Sequence, residues 1–286
     1  MKYTIALIAL ISMLVSGAGF AADISTLEQI KKSETIRIGY RETEPPMSFL
    51  NKDKQPVGYS IELCLHIVNE VKSMLKNPNI APKYVPVTAT NRFESLRNNS
   101  IDILCGATTK TLSRSELVDF TQLTFITGAA LLSLKSTEVK GISDLKGKKV
   151  AVVKDTTTID ILQKTLRKKA NDAKIVPVDS AAEGMDLIVK GEVAAFASDQ
   201  IVLIGLVVTH MDPKQFAVSD EVFSFEPFAL AVRRNDADFR LVADRVLSRL
   251  SRSGDIKKVY KLWFGKYITE VPDLLEAMYI LNTTPE

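Results

Sequence analysis

The chain has 286 residues, 46% of them hydrophobic and 25% charged, the balance of an ordinary folded protein with room for one large domain or two average ones. Its 37 basic and 34 acidic residues leave a formal charge of only +3, and no basic block concentrates it, which argues against a nucleic-acid-binding face. The only histidines, His66 and His210, are far apart and make no metal-spaced cluster.

Residues 1–21 read as a secretory signal peptide. Lys2 precedes an apolar run over 5–15, and Gly19 and Ala21 sit three and one positions before a cut after Ala21. The run is short for a transmembrane span, and so is the later apolar stretch 201–208. The mature chain then opens with a helical lead-in at 27–32 and a strand at 35–40, TIRIGY. The strand exits into Arg41, Glu42, Thr43 and Glu44, and the diproline Pro45-Pro46 stiffens the segment into the wall of a site. Residues 59–76 carry Ile61, Cys64, Val68, Val71 and Leu75 at helix spacing, with His66 on the same helix. A second strand is expected at 83–87.

The stretch 88–114 is the most informative. A short helix carrying Phe93 and Leu96 runs into a polar turn, a buried strand at 101–105, Gly106, the loop Ala107-Thr108-Thr109, and then Arg114. In an open α/β sheet small ligands bind at such strand exits. Threonine hydroxyls can donate there, and an arginine offers a planar fork for a carboxylate or phosphate. The same stretch is also consistent with a strand, a solvated turn and a surface arginine. Extended crossings at 116–120 and 124–132 complete a first β-α-β-α-β unit.

The pattern restarts after Lys146. A strand at 150–153 leads into Asp155-Thr156-Thr157-Thr158 and a helix at 159–168; these residues either form an anion site at a helix N-terminus or simply cap the helix. A strand at 174–178, a helix at 182–190 and a strand at 194–197 come next, with Asp199 at the last exit. The alternating stretch 225–232, amphipathic helices at 239–250 and 256–264 separated by Gly254, and a tail expected to fray from Glu270 close the chain. Export permits oxidation, so Cys64 and Cys105 form either a disulfide or two buried thiols.

No nucleophile elbow, Cys-His pair, metal cluster or phosphate-binding glycine fingerprint is present. The polar strand exits remain: Arg41, Arg92, Thr109 and Arg114 in the first unit, and Thr156, Thr157 and Asp199 in the second. Three arginines call for anions and one aspartate for a cation, the groups of an acidic α-amino acid; alternatively Glu42 or Glu44 answers the arginines from within the protein, which favours glutamine, asparagine or another polar ligand.

The segments IRIGYRETEPPMSF, VGYSIELCLHIVNEVK, VPVTATNRFESLRNNSIDILCGATTKTLSR, LKGKKVAV, AAFASDQ and KLWFGKY, in this order, resemble the bacterial extracellular solute-binding proteins of polar amino acid ABC importers, most of all the glutamate/aspartate-binding branch. The resemblance covers nearly all of the mature chain. It implies an α/β, type II-like two-lobed periplasmic binding protein, each lobe a doubly wound mixed sheet, the first lobe discontinuous (22–126 and 225–286) and the second spanning 127–224. It further implies a monomer without cofactor or catalytic activity, working in the periplasm with membrane permease subunits and a small acidic amino acid. Carried over by position, Arg114 grips the α-carboxylate, assisted by Thr109 and the backbone after Gly106; Thr156 is a second carboxylate contact; Asp199 takes the α-ammonium; and Arg41 and Arg92 read the side-chain carboxylate. Ala89, Ala107 and Ala181 depart from the branch, which tends to serine at the first two positions and histidine near the third. Two other classes compete: a secreted cyclohexadienyl- or prephenate-like dehydratase with Glu42 or Glu44 as acid or base, and a soluble ligand-sensing module.

Overall fold

A computed structural model of the chain describes residues 25–268 and 270–286, so the signal-peptide reading of residues 1–21 lies outside the described residues. Two five-stranded sheets dominate. The first runs in the order Ala81–Pro86, Thr35–Tyr40, Ile103–Cys105, Glu226–Arg233, Val118–Thr127, and the second in the order Lys174–Val178, Lys149–Val153, Ala195–Asp199, Ala129–Leu134, Phe216–Val218. In each, three strands pair in parallel and two further pairings are antiparallel, so the halves share one architecture. This is the two-lobed α/β fold with mixed doubly wound sheets and a discontinuous first lobe.

The second sheet illustrates why the sequence folds this way. Its strands are near-continuous apolar runs because helices cover both faces. Alternate residues go to opposite cores: Leu132, Ala151, Val153 and Phe196 to one, Leu131, Val150, Val152, Ala195 and Ala197 to the other. In the first lobe, the helix Tyr59–Met74 buries Ile61, Leu63, Cys64, Ile67, Val68 and Val71 against the sheet. That face brings Cys64 to the end of the strand Ile103–Cys105, and the two cysteines form a disulfide with a Cα–Cα distance of 6.5 Å.

The chain changes lobes at Gly128. The strand Val118–Thr127 ends in the first sheet, and Ala129–Leu134 begins in the second. The return passes alongside: Phe223 donates to the Ala129 carbonyl at 2.8 Å, the Ala129 N–H donates to the Ser224 hydroxyl at 2.9 Å, and Glu226 lies opposite Thr127. A Cβ on residue 128 would meet the Ser224 carbonyl at 2.5 Å, so the two crossing segments need glycine to lie this close. A second close approach joins the lobes elsewhere. The helix Gln200–Thr209 of the second lobe presents Gly205 to the Pro45 carbonyl of the first, where a Cβ would collide with backbone.

Two expectations change. The two crossings at 116–120 and 124–132 are instead one ten-residue strand, Val118–Thr127, followed by Ala129–Leu134. Thr121 is buried within this strand, and its hydroxyl donates to the Gln122 carbonyl at 2.8 Å. The tail does not fray from Glu270: Asp273–Leu281 is a helix that buries Leu275, Met278 and Tyr279 at helical spacing. The Tyr279 hydroxyl meets that of Tyr59 at 3.0 Å, and Tyr59 in turn donates to the Thr124 carbonyl at 3.0 Å.

Candidate functional site

Strand exits of both sheets converge on one cavity, lined by Arg41, Glu44, Arg92, Thr109, Arg114, Thr156, Thr157 and Asp199 among others. Every ligand contact expected from the sequence is therefore brought to one place. The water-accessible space left between the lobes is about 20 Å³, room for one or two waters, so the cleft stands closed. Hydrogen bonds cross it: Thr90 donates to the Asp155 carboxylate at 2.6 Å, Arg92 to the Asp155 carbonyl at 3.0 Å, and Thr157 to the Glu226 carboxylate at 2.8 Å.

The first lobe supplies the cations. Arg41 directly follows the strand Thr35–Tyr40, and its guanidinium pairs with Glu44 at 2.8 Å. Arg92 opens the helix Arg92–Arg97 and donates to the carbonyls of Ala89 and Asp155. Arg114 sits in the short helix Leu112–Ser115, whose N-cap is Thr111, and donates to the Thr109 carbonyl at 2.9 Å. The Phe93 ring lies under both guanidinium groups, 4.6 Å from Arg92 and 5.4 Å from Arg114. Among the described residues neither Arg92 nor Arg114 makes an ion pair. Burial, then Arg114 and Arg41, pulls Arg92 down to about 9; burial also lowers Arg114, against the pull of Glu226 and Asp199.

The second lobe supplies hydroxyls and an anion. Thr156 caps the helix Thr157–Lys168: its hydroxyl donates to the Val153 carbonyl at 2.7 Å and accepts the Ile159 N–H at 3.4 Å. Capping and cleft lining thus coexist at Thr156, the hydroxyl being engaged in the cap while the first-turn N–H groups have no intrahelical acceptor. Asp199 ends the strand Ala195–Asp199, and its Oδ1 is buried without a hydrogen-bond partner among the described residues. Burial first, then Glu226 and Glu44, pushes its carboxyl well above the usual carboxylate range, against Arg114.

Glu226 is the residue that sequence reading misses. Fully buried at the return crossing, it accepts from Thr109 of the first lobe at 2.6 Å, from Thr157 of the second at 2.8 Å, and from Ser224 between them at 2.7 Å. Its one signal is a charge at the head of the otherwise apolar run EPFALAV. Glu44 enters the sequence reading only as a possible acid, base or internal counter-charge; the structure makes it the partner of Arg41, whereas Glu42 is exposed. Ala107 and Ala181 line the cavity, as their positions imply.

Two α/β lobes closed on a cleft of arginines, hydroxyls and a lone aspartate define a clamp for a small polar solute. The model of bacterial extracellular solute-binding proteins, family 3, matches residues 36–266, and the chain belongs to that family. The family is one of exported binding proteins of the periplasm or extracellular space, not of catalysts, and among the described residues no cluster of His, Cys, Asp and Glu could hold a metal. The chain is 33% identical over 262 residues to the L-glutamate/L-aspartate-binding protein of Pseudomonas aeruginosa, covering 91% of this chain and 87% of that one. It is 30% identical to the glutamate/aspartate import solute-binding protein of Salmonella typhimurium, covering 91% and 89%. Among solved structures, an ancestral arginine-binding protein bound to glutamine aligns with a TM-score of 0.73 at 26% identity, over 81% of this chain and 98% of that one. An ancestral amino acid-binding protein, a precursor of cyclohexadienyl dehydratase, aligns with a TM-score of 0.74 at 28% identity, over 84% and 100%.

Proposed function

We propose that the protein captures a small acidic α-amino acid, glutamate or aspartate or a close analogue, and delivers it to the membrane permease subunits of an ABC importer. The observation that carries this reading is the set of unanswered charges in one cleft: Arg92 and Arg114 donate only to carbonyls, and Asp199 Oδ1 has no hydrogen-bond partner among the described residues. A buried charge without a partner is costly, so a ligand that supplies the missing charges gains what the empty site lacks. In this reading Arg114, with Thr109 and the first turn after Thr156, takes the α-carboxylate. Asp199 takes the α-ammonium, and Arg92 takes the distal carboxylate. Residues 22–126 with 225–286 act as one lobe and 127–224 as the other, working as a monomer. The names of the glutamate/aspartate-binding relatives support the choice; the arginine-binding and glutamine-bound neighbours show that the same fold serves other side chains.

Titration calorimetry against a panel of acidic, amide and basic amino acids tests the proposal. The parent protein is expected to bind a dicarboxylic amino acid most tightly. Arg92→Ala is expected to weaken that ligand by roughly 10- to 100-fold, the loss of one charge-assisted hydrogen-bonded contact, while affecting its neutral amide much less. Tightest binding of a neutral or cationic amino acid by the parent would overturn the acidic assignment.

A further inference from the structure

Arg41 differs from the other two arginines of the cleft in that the chain itself supplies its anion. Glu44 Oε1 lies 2.8 Å from the guanidinium, and the paired side chains are only 7% and 13% exposed. The other oxygen, Oε2, accepts the Ala107 N–H at 3.3 Å, just past the strand exit at Gly106. A guanidinium and a backbone N–H at a strand exit are the donors that an incoming carboxylate would use, and here a side chain of the protein holds both. Glu44 is also well presented. It belongs to the short strand Thr43–Glu44, paired antiparallel with Ser48–Leu50, and Ser48 fixes the neighbouring turn by accepting the Arg41 N–H at 2.9 Å. Both Arg41 and Glu44 line the cavity.

We propose that Glu44 is a specificity-determining residue, a built-in counter-anion that occupies the Arg41 end of the cleft so that the site reads a single distal group through Arg92. This deepens the acidic-amino-acid reading and rests on it. Its consequence is a narrower preference: with Arg41 already answered, replacing the distal carboxylate by a carboxamide forfeits one arginine contact instead of two. The accepted class is amino acids with one compact distal polar group, the carboxylate favoured over the amide by a modest factor.

The test compares glutamate with glutamine, and aspartate with asparagine, on the parent and its variants by titration calorimetry. Glu44→Gln keeps the side-chain size and an acceptor for Ala107 but frees Arg41; the acid-to-amide affinity ratio is expected to rise about tenfold or more, one additional charge-assisted contact. Adding Arg41→Ala to Glu44→Gln removes that gain. Arg41→Gln alone leaves Glu44 uncompensated in the cleft, and the ratio is expected to fall by at least about tenfold, a change of opposite sign that decides the matter even if Glu44→Gln folds poorly. An ion pair that only stiffens the wall would weaken all four ligands alike. A parent that binds these amino acids, with a ratio unmoved in both single variants, overturns the inference and leaves the proposed function standing. A parent that binds none of the four overturns both.

Discussion

In the first lobe every arginine of the cleft already has acceptors, while in the second lobe the Asp199 Oδ1 has none among the described residues. Arg41 rests on Glu44, Arg114 on the Thr109 carbonyl, and Arg92 on the carbonyls of Ala89 and Asp155, with Phe93 beneath the last two guanidinium groups. In this closed arrangement the three side chains are held by their acceptors and have little rotamer freedom left to lose, the Asp155 contact of Arg92 coming from the second lobe. Asp199 is the opposite case, a buried carboxylate whose charge is disfavoured until a cation arrives. In the proposed reading the anionic groups of the ligand meet donors on the first lobe and its ammonium meets Asp199 on the second, so one ligand engages both halves. Glu226, bonded to Thr109, Thr157 and Ser224 at once, holds the closed arrangement at its hinge side. A ligand contacting both halves favours the closed form by the differential affinity of the two states.

The largest expected effects come from removing one charge from each half. Arg114→Ala and Asp199→Asn should each weaken amino-acid binding by about 2–5 kcal/mol, roughly 30-fold to several-thousand-fold, because each leaves a ligand charge buried and unanswered. The losses should extend to neutral amides as well as acidic ligands, since in the proposed reading both groups face the α-amino acid head. Affinity kept within about threefold in Asp199→Asn would break the comparison, for the second lobe would then not hold the ammonium.

A smaller and graded effect is expected from pH. The Asp199 carboxyl is raised by burial first, then by Glu226 and Glu44, with Arg114 opposing. The empty protein therefore keeps a proton there to higher pH than an ordinary carboxylate, and an ammonium ligand must displace it. Affinity should fall as pH drops below the raised value, by up to about tenfold per pH unit for one proton. The sign for stability is the reverse of the usual carboxylate case. The contribution of this group to the empty protein's stability is fully present below the unfolded-state value and is lost as pH rises through the raised one, and the ligand abolishes that loss. Calorimetry in buffers of different ionisation heat should detect a proton released on binding to the parent and none in Asp199→Asn. Absence of release by the parent at every pH tested would remove the ammonium from Asp199.

The smallest effect on binding is expected from the disulfide. Replacing Cys64 and Cys105 by serine opens a loop with a sequence separation of 41 and should cost about 2–4 kcal/mol of stability, visible in denaturant melts. Ligand affinity should hardly change, because the arginines are oriented by acceptors close to them rather than by the cross-link. A loss of more than about tenfold would place the preparation of the first lobe in the covalent bond instead.

Short-range periodicity made part of this molecule legible in the sequence. The strands Thr35–Tyr40 and Lys174–Val178 fall where alternation places them, and all six expected ligand contacts line the cleft at or just beyond strand exits and helix starts of the doubly wound sheets. The features that escaped depend on partners distant in the chain. Glu226 looks like an ordinary strand residue until Thr109 and Thr157 are brought to it from positions 117 and 69 residues away. Nothing local distinguishes Glu44, the partner of Arg41, from the exposed Glu42. The terminal helix Asp273–Leu281 is hidden by its polar ends, and Tyr59, far back in the chain, supplies the hydroxyl that meets Tyr279.

The most direct test of the proposed clamp is a crystal structure with the tightest-binding dicarboxylic amino acid in the cleft. The expected result is the α-carboxylate on Arg114, the ammonium on Asp199, the distal carboxylate on Arg92, and the Arg41–Glu44 pair intact. An ammonium held away from Asp199, or a distal carboxylate that has displaced Glu44 from Arg41, would contradict it.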